Sequence, residues 1–207
     1  MERHRRQGDG TEHVAMLPNP VLRVCEPVVR VAALLGGYGL TALAVLVGFE
    51  VVARKLFAFS LQGVDEIGGY IIAAMAAFGF SYALLQKAHT RIDIFTARLP
   101  RTAQLWLNVL ALATLAVFAC FMAWRGWGAL ADTIELKSVS STPLRTPLWL
   151  PQSVWLAGLA LFALVSASIA LHAAWLAFRG NRAAAAQYAP RSLEEQIEAE
   201  RVEIETL

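Results

Sequence analysis

Charge is scarce in this chain. Of 207 residues 16% are charged and 57% are hydrophobic, where an average soluble domain carries roughly 25% and 45–50%. What charge there is avoids four stretches entirely: Val31–Phe49, Ile67–Leu85, Thr102–Trp124 and Leu148–Phe178. About 20 apolar residues rising 1.5 Å each cross a hydrocarbon core of roughly 30 Å, so each stretch reads as a membrane span. Four spans in so short a chain leave no room for a separate soluble domain, which excludes a soluble enzyme. Strands are excluded as well, because four could not close a barrel and an open sheet edge cannot face lipid.

Cysteine is nearly absent. Cys25 precedes the first span and Cys120 lies inside the third, too few for a disulfide framework or a thiolate metal site. Cys120 reads as an unreactive thiol that behaves as a small hydrophobe, and no lipobox-like run precedes Cys25. The sequence also lacks a glycine-rich phosphate loop, a metal-spaced His/Cys cluster and a nucleophile with its base. No catalytic residue, no metal ligand and no enzymatic activity are therefore expected. The net charge of +2 is too small to point to nucleic acid. The amino-terminal MERHRRQGDGTEH is polar and basic, but no short apolar run with a small-residue cleavage site follows it. The first apolar run is long enough to span and reads as a retained helix.

The charges that remain give the topology. Lys and Arg number thirteen in residues 1–30, 86–101 and 179–207 together, against five in 50–66 and 125–147. Positive residues stay on the cytoplasmic side, so both termini are expected there. The predicted architecture is an all-α, multi-pass membrane protein. It has a cytoplasmic extension at 1–27, a four-helix membrane domain at 28–178 and an acidic cytoplasmic tail at 179–207. The spans fall at about 31–53, 67–86, 102–125 and 150–178. Trp124, Trp127, Trp149 and Trp155 then lie near the outer interface and Trp106 and Trp175 near the inner one, depths that suit an indole ring.

Within the spans, Gly69, Ala73, Ala77 and Ser81 make an i, i+4 track of small residues on the second helix, a candidate surface for close helix packing. Beyond Arg125 the composition stays helical, so the third helix is expected to project past the membrane. Pro143, Pro147 and Pro151 are then expected to break helix and force an extended approach to the fourth span. In the tail, Leu193, Ile197, Ile204 and Leu207 share a stripe among six Glu, the pattern of an amphipathic or simply solvated acidic helix.

Polar groups inside a membrane are functional hypotheses by default, and few occur here. Glu50 and Arg54 are spaced for an i, i+4 ion pair. Asp65 and Glu66 open the second helix, where carboxylates favour the dipole. Asn108, Thr114 and His172 complete the set. No carboxylate, lysine or arginine falls at mid-depth, where a self-sufficient ion-coupled carrier needs polar groups. The chain therefore reads as a membrane component that works with a partner. An alternative from another class is the anchor subunit of a redox enzyme, holding haem or quinone between His89 and His172.

Four stretches carry a family resemblance. The first span ends in Glu50-Val-Val-Ala-Arg54-Lys55-Leu-Phe57, and Gln62-Gly-Val-Asp65-Glu66 follows. After the second span comes Gly79-Phe-Ser-Tyr-Ala-Leu-Leu-Gln-Lys87-Ala-His89-Thr-Arg91-Ile-Asp93, and Pro147-Leu148-Trp149 precedes the last. In this order, over roughly residues 30–178, they resemble the DctQ-like small membrane subunit of tripartite ATP-independent periplasmic (TRAP) transporters. The chain departs from the family in lacking the Trp that often precedes the acidic pair. The resemblance implies a large membrane subunit that binds substrate and sodium and moves as an elevator. It also implies a periplasmic solute-binding protein, and small organic anions as cargo. This chain would be the static scaffold, embedded in membrane lipid, with no cofactor of its own. Glu50, Arg54, Asp65 and Glu66 could then meet the partner or serve only local capping and pairing. Of the loop residues Lys87, His89, Arg91 and Asp93, the second and fourth read as structural and the two cations as topology determinants.

Overall fold

The computed structural model describes residues 20–86 and 99–180, with positions 188 and 201. Among these residues the chain is all-helical, with four helices long and apolar enough to cross a membrane: α1 (Pro20–Phe57), α2 (Val64–Leu85), α3 (Arg101–Glu135) and α4 (Trp149–Phe178). Each contains one of the charge-free stretches, α4 all but the first residue, Leu148. The expected acidic-tail helix, and the loop with Lys87, His89, Arg91 and Asp93, lie outside the described residues.

The helices form an open row in the order α1–α2–α4–α3, not a closed bundle. α1 and α2 run antiparallel, with Gly36 against Met75, Gly39 against Ile71 and Leu43 against Gly68. α3 and α4 are antiparallel too, since Gly126 meets Leu156 and Trp106 meets Phe178. Between the two pairs, α2 and α4 run parallel, with Ala77 against Gly158 and Phe80 against Phe162. A Cβ added to Gly158 would sit 2.7 Å from Ala77 Cβ and 3.1 Å from the Ala77 backbone carbon. Only hydrogen at position 158 permits this approach, and close backbone approach is the main source of helix association in lipid.

The small-residue track of α2 splits along this seam. Ala77 and Ser81 are fully buried, whereas Gly69 and Ala73 face outward, and nothing lies within 4 Å of a Cβ built on Gly69. The reason is geometric: four residues turn about 400° in an α-helix, so such a track rotates by about 40° at each step. Over eight residues it leaves a straight neighbour. The half of the track that packs against α4 is the half that faces Gly158.

The core is densest at the Pro20 end. Leu22, Cys25 and Val29 of α1 reach past α2 to join Leu105 of α3 and Ile169, Ala173 and Leu176 of α4. Tyr188, from beyond α4, is buried in the same cluster. α1 therefore starts well before its charge-free stretch. Protein covers one face of its first turns, at Leu22, Cys25 and Val29, while Arg23 and Arg30 lie on the exposed side. Cys25 is buried, while Cys120 sits on the outward face of α3.

At the opposite end α3 continues to Glu135, as its composition predicts. A Schellman arrangement stops it: Lys137 takes φ +47°, its N–H bonds to the Ile134 carbonyl, and the Ser138 N–H bonds to the Thr133 carbonyl. Of the three prolines, Pro143 and Pro147 lie outside helix as expected and Pro151 does not. Pro147 lies in an antiparallel bridge with Val139, but Leu148 already has helical angles and Pro151 is within the first turn of α4. The first four N–H groups of a helix have no intrahelical acceptor, so proline costs nothing there. The approach to α4 is thus a short hairpin, 138–148, with proline tolerated inside the helix start.

Candidate functional site

Polar side chains gather at the end of the row formed by the 58–63 and 136–148 loops. Glu50, in the last turns of α1, is buried although it is a carboxylate. It accepts from the Arg54 guanidinium one turn on and from Ser60 Oγ at 3.2 Å. The 50/54 spacing puts both groups on one helix face, and the arginine keeps 60% of its side-chain surface exposed while the glutamate keeps 7%. The cation thus remains largely solvated while it compensates a buried anion. Ser60 also ties the 58–63 loop to α1.

Glu66 is the second buried carboxylate. It lies in the first turn of α2, where the free N–H groups and the dipole favour negative charge. Tyr70 Oη donates to it at 2.7 Å from the next turn, and Thr142 Oγ1 donates to its other oxygen from the α3–α4 hairpin. Ser140 Oγ lies 2.7 Å from that same threonine hydroxyl. The hairpin is closed by Ser140 N–H to the Thr146 carbonyl and Leu148 N–H to the Ser138 carbonyl. Beside it Leu144 rests on Gly63, whose φ of +92° and lack of a Cβ both require glycine. The hairpin is therefore clamped to the start of α2 by one polar and one apolar contact. Asp65, the neighbour in the acidic pair, faces outward.

The arrangement is one of anchoring. Each buried carboxylate is satisfied by donors of its own chain, and no group of three or more His, Cys, Asp or Glu capable of holding a metal occurs among the described residues. Of the hydroxyls within the spans, the buried Ser166 donates to the Phe162 carbonyl and the exposed Thr114 to that of Ala111, each within its own helix, while the buried Ser81 Oγ has no hydrogen-bond partner among the described residues.

One sequence family decides what this architecture belongs to. The family described as tripartite ATP-independent periplasmic transporters, DctQ component, matches residues 43–179, well over half of the chain. The chain belongs to the DctQ family. No curated protein and no solved structure matches it. The matched region of this DctQ chain takes in the C-terminal part of α1, all of α2, α3 and α4, and the clamped hairpin. The family is a transporter component, not an enzyme family, which agrees with the four helices long and apolar enough to cross a membrane.

At the other end of this DctQ protein, His172 Nδ1 lies 2.5 Å from Tyr188 Oη, with the Trp175 ring stacked alongside and Arg179 over Trp175 at 4.1 Å. His172 is thus engaged by the segment that follows α4, and His89 lies outside the described residues. Three contributors escaped the sequence reading. Gly158 looked like one more small residue in an Ala/Leu run. Thr142 and Tyr188 act across long sequence separations, which no local pattern reports.

Proposed function

We propose that this protein is the static small permease subunit of a TRAP transporter. It braces a large elevator subunit that carries out sodium-driven uptake of small organic anions delivered by a periplasmic binding protein. The observation that carries this reading is where the ionisable groups are. The central stretches of all four helices hold no carboxylate, lysine or arginine, and the buried carboxylates Glu50 and Glu66 are taken up by their own chain at one end. A helix row with broad uncovered sides suits a frame that adds surface to a larger membrane partner. The excess of Lys and Arg on the terminal side supports cytoplasmic termini in the inner membrane. The end with Glu50, Arg54, Asp65 and Glu66 then faces the periplasm, within reach of the binding protein. Sodium and solute sites belong to the large subunit in this scheme.

Reconstitution tests it. Vesicles containing this chain, the large subunit and the loaded binding protein should accumulate solute under an inward sodium gradient, and omission of any one should abolish uptake. Accumulation by this chain alone would overturn the reading. Replacing both His89 and Asp93 by Ala should lower co-purification with the large subunit; unchanged co-purification and uptake would remove them from the interface.

A further inference from the structure

The outer side of the α1–α2 seam is not filled at its Pro20 end. A groove of about 590 Å³ runs there along α1 past Arg30, Leu34, Gly37 and Thr41, with Tyr82 of α2 in its far wall. It exists because Ala33, Gly37 and Thr41 present little bulk at i, i+4 spacing, and nothing lies within 4 Å of a Cβ built on Gly37. From Arg30 to Thr41 the helix rises about 16 Å, roughly half of a 30 Å hydrocarbon core. The groove is therefore one leaflet long. Its polar end lies near the last turn of α2, since the Gly36–Met75 and Gly39–Ile71 contacts bring Arg30 level with Tyr82.

Arg30 lines that end, and Glu26, of opposite charge, lies one helical turn beyond it. Arg30 and Glu26 sit one turn apart with 3.7 Å between their charged atoms, and 63% and 40% of their side-chain surfaces remain exposed. A pair this loose and open can bind a third group with either charge. Next to it the Tyr82 phenol oxygen accepts from Gln86 Nε2 at 3.1 Å, which orients the ring while its own proton stays available to donate.

We propose that this groove seats one phospholipid whose headgroup combines a phosphate with a primary ammonium, as in phosphatidylethanolamine. Arg30 and Tyr82 donate to the phosphate, and a guanidinium suits phosphate oxygens through its forked N–H groups. Glu26 accepts from the ammonium. One acyl chain lies along the small-residue floor of α1. Charge complementarity selects this occupant. A purely anionic headgroup leaves Glu26 opposed to like charge, and a choline nitrogen has no N–H to donate to it. A transmembrane helix of a partner laid in the groove would cover both charges with apolar side chains.

The test uses the full-length chain purified in mild detergent and offered tail-matched phosphatidylethanolamine, phosphatidylglycerol and phosphatidylcholine, with retained lipid counted by native mass spectrometry. The unaltered chain should keep one phosphatidylethanolamine about tenfold more tightly than either competitor, the worth of one charge-assisted hydrogen bond. Arg30→Gln should weaken that retention by about the same factor. Glu26→Gln should shift the preference toward phosphatidylglycerol. Gly37→Trp, which fills the floor and leaves both charges in place, should remove the lipid. Equal retention of the three lipids, or phosphatidylethanolamine retention that survives both Arg30→Gln and Gly37→Trp, overturns the proposal. So does a Leu34→Cys cross-link to a partner helix in the assembled transporter at full yield.

Discussion

Thr142 donates a hydroxyl hydrogen bond to the carboxylate of Glu66, 76 residues earlier in the chain. Through that bond the hairpin between α3 and α4 is fixed to the first turn of α2, and Leu144 on Gly63 completes the clamp. Removing the donor leaves a buried anion short of a partner, which costs about 1–3 kcal/mol. Thr142→Val should lower the melting temperature in detergent and speed tryptic cleavage after the exposed Arg145. Glu66→Gln keeps an acceptor and removes the charge, so it should be milder in both measurements. Equal effects of the two would mean that the hydroxyl is not what holds the hairpin.

A parallel asymmetry is expected at Glu50. Its arginine partner is mostly in water while the carboxylate is buried. Arg54→Gln strands the anion with Ser60 alone and should cost about 1–2 kcal/mol, whereas Glu50→Gln should cost less because a neutral amide is easier to bury. Chemical denaturation in mixed micelles can rank them.

Gly158 should tolerate no side chain. Gly158→Ala places a methyl 2.7 Å from Ala77 Cβ and should destabilise by about 1–3 kcal/mol, as overpacking does. Adding Ala77→Gly should restore part of that loss, a coupling expected of residues in contact. The backbone contact at 3.1 Å limits the recovery. Gly128→Ala serves as the control, since nothing lies within 4 Å of its added Cβ.

Tyr188 should contribute through its ring more than its hydroxyl. Tyr188→Ala removes a buried aromatic from the terminal cluster and should cost about 3 kcal/mol or more, while Tyr188→Phe gives up one hydrogen bond to His172, about 1 kcal/mol. Thermal melts of the two variants separate the contributions.

Much of the fold was legible because lipid imposes a simple rule: a helix excludes charge along the part that crosses the hydrocarbon. The four charge-free stretches therefore located α1 to α4, and Glu50–Arg54 could be paired by spacing alone. What the rule leaves out is the neighbour each helix chooses. Gly69 and Ala73 matched the same small-residue pattern as Ala77 and Ser81, and only the direction of α4 separates them. The helix start at Pro20 was hidden because protein, not lipid, surrounds Leu22 and Cys25. Pro151 misled because a proline inside the first helical turn has the same identity as one that ends a helix. The Glu66–Thr142 contact left no local trace; only the acidic pair that opens α2 was visible.

The spatial order of the helices has a consequence for biogenesis. α3 rests along α4 and has no comparable contact with α1 or α2, yet it leaves the ribosome before α4 does. For that interval it waits in the bilayer as a solitary rod beside a finished hairpin. The last helix made is the keystone: until it slots between its two predecessors, nothing joins the halves.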